Sequence, residues 1–259
     1  MLRSLRVAYW AGLAVGLFLG LIYLFQAYYA DSMALISNMV APLMAGSAVV
    51  SAVFALKKYW DNLESGFSII WLCFTLGMLL WFLGETIWAI YVLILNVETP
   101  YPSIADAFWL IGYIPLLIAI SSYVRHFRHA LFKKMYILCA ATDAVVGILL
   151  FAILVPPIIA AHENLLTLII SLAYPVLDLI LFSEAILGLL TFTVTMLKGW
   201  ITRAWLLINA GIVMNAIGDI LFGYTSSQDI YFDGHPLELF FYWGYILFAL
   251  AFYTYMKEL

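Results

Sequence analysis

The chain has 259 residues, 66% of them hydrophobic and only 10% charged, with a mean hydropathy of +1.07. That composition excludes a water-soluble globular domain and points to an all-α integral membrane protein forming one unit over 1–259. Its net charge of −4 is informative through placement rather than sum, and nothing in it suits a nucleic-acid partner.

Eight apolar stretches follow one another, at about 5–29, 33–56, 67–95, 104–123, 135–159, 165–196, 201–224 and 237–255. Each is near or above the roughly 20 residues a spanning helix needs. Arg3 and Arg6 precede the first, whose apolar core exceeds the roughly 7–15 residues of a signal peptide's central region, so it reads as a retained helix. Gly12, Gly16 and Gly20 give it a small-residue ladder for close helix approach, with the partner open between another helix and another subunit. Lys57 and Lys58 follow the second stretch, Arg125, Arg128, Lys133 and Lys134 the fourth, Lys198 and Arg203 the sixth, and Lys257 the eighth. The connections around Asp31, Glu98, Glu163 and Asp229 carry acids and no Lys or Arg. By the positive-inside rule the basic segments are cytoplasmic, which predicts eight crossings with both ends inside.

The third and seventh helices superpose at a constant offset of 134: Trp71 on Trp205, Gly77 on Gly211, Gly84 on Gly218 and Glu85 on Asp219. The fourth and eighth follow at 132, with Asp106 on Glu238 and Gly112-Tyr113-Ile114 on Gly244-Tyr245-Ile246. Matched Gly, Trp and acidic positions are hard to obtain by chance in an apolar sequence. The expectation is two parallel four-helix repeats, about 1–128 and 129–259, related by a pseudo-twofold axis along the membrane normal with a site beside it.

Seven acids fall within or at the edges of the predicted helices: Glu85, Asp106, Asp143, Asp178, Glu184, Asp219 and Glu238. Carboxylates at membrane depth without a basic partner must be protonated, hydrogen-bonded, or facing water or a cationic ligand. The four repeat-matched acids share helical faces with aromatics. Trp81 and Trp88 flank Glu85; Asn215 and Phe222 flank Asp219; Trp109 and Tyr113 follow Asp106; Phe241 and Tyr245 follow Glu238. These twelve residues predict an outward pocket, acidic and walled by aromatics. Competing structural readings stand beside it. Ser103 to Asp106 matches a helix capping box, Glu238 sits in a first turn after Pro236, and interhelical hydrogen bonding alone would satisfy Glu85 and Asp219. Asp143, Asp178 and Glu184 form a candidate second polar site, beside Pro175, which is expected to kink or break the long sixth helix.

Cys73 and Cys139 read as small apolar core residues rather than a disulfide or metal pair. His162 and His235 lie in outer loops beside Glu163 and Asp233, a solvated-loop pattern; His126 and His129 belong to a basic cytoplasmic loop suited to anionic lipid. The sequence has no HExxH, GxSxG, Walker or GxGxxG motif, no mid-membrane Lys for a retinal and no intramembrane His pair for haem, so no cofactor is expected.

At Gly84-Glu85-Thr-Ile-Trp88, at Tyr101-Pro102-Ser103-Ile-Ala-Asp106-Ala-Phe108-Trp109, and at Gly218-Asp219 with Trp243-Gly244-Tyr245, the chain resembles the eight-helix membrane region preceding many bacterial diguanylate cyclases and some sensor histidine kinases. The resemblance implies a sensory module in a prokaryotic plasma membrane. With no GGDEF, kinase or PAS segment before Leu259, output is expected through a membrane or cytoplasmic partner or through the bilayer. A weaker similarity, Gly218-Asp219 followed by an aromatic last helix, is to lysoplasmalogenase-like membrane proteins and implies a lipid hydrolase. The leading expectation is a binding or sensing protein whose pocket holds a small amphiphilic or cationic ligand; a lipid-modifying enzyme and a small-molecule transporter are the alternatives.

Overall fold

In the computed structural model, residues 2–59, 66–97, 101–161, 164–195 and 200–258 are described. Glu98, His162, Glu163 and Lys198 lie outside them. Apolar side chains leave each backbone to satisfy its own hydrogen bonds, and the described residues do so in eight α-helices. These are α1 (Leu2–Leu24), α2 (Ala30–Leu56), α3 (Gly66–Leu93), α4 (Ile104–His126), α5 (Lys133–Ala161), α6 (Leu165–Thr195), α7 (Trp200–Ser227) and α8 (Glu238–Glu258). All eight are long and apolar enough to cross a membrane, and no strand occurs among the described residues. Large apolar side chains stand exposed along α1 and α5, among them Trp10, Phe18, Ile148 and Phe151, a surface that suits acyl chains rather than water.

Two boundaries differ from the sequence reading. The first apolar stretch is not one helix to residue 29: α1 ends at Leu24, and a single 3-10 turn, Gln26–Tyr28, leads into α2. Pro175 does not interrupt α6, which continues unbroken for 31 residues from Leu165 to Thr195. A bundle tolerates such a proline because packed neighbours hold the helix across the one missing backbone bond.

The packing order is α3 on α4 and α7 on α8, with α2 against α3 and α8, and α6 against α7 and α4. Glycines set the two tight hairpins. A Cβ on Gly84 would stand 2.5 Å from the Trp109 indole nitrogen, and one on Gly218 would stand 2.6 Å from the Phe241 ring. Gly77 likewise faces Leu116 where Gly211 faces Phe248, and Gly112 faces Trp81 where Gly244 faces Asn215. Each pair of contacts therefore keeps the 134 and 132 offsets on both sides. At the end carrying the Lys and Arg residues, Trp71 lies over Tyr255 with centroids 3.9 Å apart, and Trp205 over Tyr123 at 3.6 Å.

α2 and α6 extend the correspondence at an offset of 133. The buried run Ala45, Ala48, Ala52, Ala55 of α2 has the spacing of Asp178, Leu181, Ala185, Gly188 of α6, and Pro42 falls where Pro175 does. The first helix of each half departs from it. α1 packs chiefly on α8, where Gly12 meets Leu250 and Gly16 meets the Trp243 indole, whose N–H donates to the Gly16 carbonyl at 3.2 Å. α5 packs instead on α6 and α7. The partner of the glycine ladder at Gly12 and Gly16 is thus internal, while Gly20 has nothing within 4 Å of its would-be Cβ.

Candidate functional site

The end of the bundle opposite the basic residues carries the segments 25–29, 94–97, 101–103 and 228–237 and opens into a cavity of about 110 Å³. All twelve residues singled out for the main site line it. α3 brings Trp81, Glu85 and Trp88; α7 brings Asn215, Asp219 and Phe222; α4 brings Asp106, Trp109 and Tyr113; α8 brings Glu238, Phe241 and Tyr245. Trp109, Trp88, Phe222 and Tyr231 form a continuous aromatic row with successive centroids at 5.8, 6.1 and 4.8 Å, linking α4, α3, α7 and the 228–237 segment.

The four matched acids divide into two kinds. Asp106 caps α4: its Oδ2 accepts from the Ser103 backbone N–H at 2.7 Å and the Ser103 hydroxyl at 2.9 Å, closing a capping box, while Tyr174 donates to Oδ1 at 2.9 Å. Glu238 is a hub for phenols. Its Oε2 accepts from Tyr23 at 2.5 Å and faces the Tyr242 hydroxyl at 3.0 Å; its Oε1 accepts from Tyr231 at 3.0 Å and the Gly234 N–H at 2.8 Å. Those bonds tie α1, α8 and the 228–237 segment together, so Glu238 anchors the rim of the cavity rather than capping a helix. Burial, then the Glu238 charge, push the Tyr231 phenol well above its ordinary range, and burial pushes Tyr101 up to about 12, so both stay neutral donors.

Glu85 and Asp219 are different. Each is half-buried in mid-helix, and each is bonded by the tyrosine of the opposite half. Tyr245 on α8 donates to Glu85 Oε1 at 2.7 Å, and Tyr113 on α4 meets Asp219 Oδ2 at 3.0 Å. Since Tyr113 and Tyr245 are offset by 132 and the two acids by 134, the bonds are reciprocal across the proposed repeats. Interhelical hydrogen bonding is therefore real at both acids, but it leaves each facing the cavity.

Asp178 does not belong with Asp143 and Glu184. It is 3% exposed, and its Oδ1 lies 2.6 Å from the same Tyr113 hydroxyl that meets Asp219. The second polar cluster lies nearer the basic end. There Cys139 donates to Asp143 Oδ2 at 3.4 Å and faces the Ser183 carbonyl at 3.4 Å. Asp178 Oδ2 meets no N–H or O–H donor, so the hydrogen-bonded chain leading inward from the cavity stops at that atom.

Five acids, Glu85, Asp106, Asp219, Asp233 and Glu238, line the cavity, with no Lys, Arg or His among the described residues of its walls. Charges in such a place act on one another strongly, because little water screens them. No group of three or more potential metal ligands is found among the described residues. Tyr101, Tyr174, Ser171, Ser37, Asn38 and Tyr231 also line the cavity and were not singled out from sequence. Continuing the repeat alignment into α2 and α6 would have brought Asn38 and Ser171 into register, whereas the tyrosines carry no local signal. No protein-family model, curated protein or solved structure matches this chain.

Proposed function

We propose that the chain is a ligand-binding or sensory protein of a prokaryotic plasma membrane, crossing it eight times with the basic ends in the cytoplasm. The cavity then opens outward and holds a small cationic or amphiphilic ligand. Occupancy is passed to a membrane or cytoplasmic protein partner, in keeping with the resemblance to membrane sensor regions. The observation that carries the reading is the charge of the cavity: five acids, aromatic walls and no basic side chain among the described residues that line it. A cation placed there gains carboxylate contacts at Glu85 and Asp219 and the faces of Trp88, Trp109 and Phe222. Asp106 and Glu238 are already spent on caps and phenols, which leaves Glu85 and Asp219 as the ligand's partners.

Native mass spectrometry of gently solubilised protein, with calorimetric titration of ammonium and quaternary ammonium salts, tests this reading. Wild type is expected to carry or bind a monocation. Glu85→Gln is expected to weaken binding at least tenfold, since a hydrogen bond to a charged group contributes about 1.5–3 kcal/mol, while the unfolding midpoint stays close to wild type. Binding unchanged by both Glu85→Gln and Asp219→Asn, or lost only along with the fold, overturns the reading.

A further inference from the structure

We propose that a monocation entering the cavity displaces one proton held by the Asp178–Asp219 pair, so that the site exchanges a proton for its ligand. The inference rests on the cation-binding reading above and adds its coupling to pH. A phenol has one hydrogen, yet Tyr113 stands 2.6 Å from Asp178 Oδ1 and 3.0 Å from Asp219 Oδ2. It can donate to only one of them, so the other contact is bonding only when that carboxyl carries a proton and donates to the phenol oxygen. The Asp178 oxygen that meets no donor has the same implication: two bare anions here would share the single Tyr113 hydrogen and leave Oδ2 of Asp178 with none.

The opposite half of the molecule makes the comparison. There Tyr245 bonds Glu85 alone, because the α2 position in register with Asp178 is Ala45, which is fully buried. One half of the site therefore presents a lone carboxylate and the other a carboxyl pair holding a proton.

The groups facing the pair are Tyr113, Tyr101 and Asp106 from α4 and its approach, Tyr174 from α6, Glu85 from α3 and Tyr245 from α8. From α5 the titratable side chains Cys139 and Asp143 are bonded to each other. Every facing group is thus acidic or phenolic. A cation between Glu85 and Asp219 is the first positive charge the pair meets, and it makes the held proton redundant. The carboxyl O–H bond breaks, the proton passes to water, and the charge of the occupied cavity stays as it was.

The test is calorimetric titration of tetramethylammonium chloride into the full chain in detergent, at one pH in two buffers of different protonation enthalpy, then across a pH series. The expected heats differ between buffers by one proton's worth, and affinity rises by up to about tenfold per pH unit. In Asp178→Asn the amide supplies the donor that the shared proton had supplied, so binding persists while both the buffer dependence and the pH slope disappear. Glu85→Gln binds more weakly and still releases a proton. Wild-type binding with no proton release overturns this inference and leaves the cation site standing; no binding of tetramethylammonium overturns both. The wild-type comparison needs no variant to fold.

Discussion

Among single residues, the four repeat-matched carboxylates are sorted by what already bonds them. Glu238 accepts from a backbone amide and from phenols on three segments, so its loss is structural. Glu238→Gln is expected to lower stability by about 2 kcal/mol, because an amide nitrogen cannot accept the donors now aimed at that oxygen. Glu85→Gln in the same assay is expected to leave stability nearly unchanged. Parallel thermal melts, with limited proteolysis at the 228–237 segment, separate the two, and equal destabilisation would contradict the division of roles. Ser103→Ala, which removes one arm of the capping box, is expected to cost about 1 kcal/mol in the same melts. The sequence held the cap in full, since Ser103 and Asp106 are local partners. The phenol hub was invisible there, because Tyr23 and Glu238 are 215 positions apart and tyrosine has no spacing that announces a distant bond.

For the helices, the closeness of α3 to α4 and of α7 to α8 depends on matched glycines. Gly84→Ala and Gly218→Ala each push a methyl into an aromatic ring packed across the hairpin. Each is expected to destabilise by about 1–3 kcal/mol, the usual range for overfilling a packed contact, and to widen the cavity mouth that Trp109 and Phe241 help to form. Gly20→Ala, with open space around it, is the control expected to have no effect. The glycine spacing was legible because it recurs at fixed offsets. The opposite fates of α1 and α5 were not, because hydropathy along each helix is uniform enough to leave its partner unspecified. Asp178 was assigned to the wrong neighbours for a related reason: its helix is long, and depth along a helix does not say which neighbour a side chain faces.

For the whole molecule, the helix count, the all-α class and the position of the main cavity could be read from hydropathy and from one internal alignment. The orientation in the membrane is read from charge alone, and it has a direct check. In a background with Cys73 and Cys139 replaced by Ala, Asp229→Cys is expected to react with a membrane-impermeant maleimide on intact cells, and Arg128→Cys only after permeabilisation. The reverse pattern would turn the cavity toward the cytoplasm and withdraw the outward-facing site.

The seating of α1 on α8 also bears on assembly. α1 finds its main surface, the groove around Trp243 and Leu250, only when α8 has been made. Until then Tyr9 and Tyr23 lack their partners Thr254, Glu238 and Tyr242. Closure of the bundle is thereby postponed until α8 is made, and a nascent chain stopped before Glu238 displays two unsatisfied phenols and a glycine groove, a form that membrane proteases can tell from the closed bundle. Pulse-chase of a chain ending at residue 236 is expected to show rapid turnover beside a long-lived full-length protein.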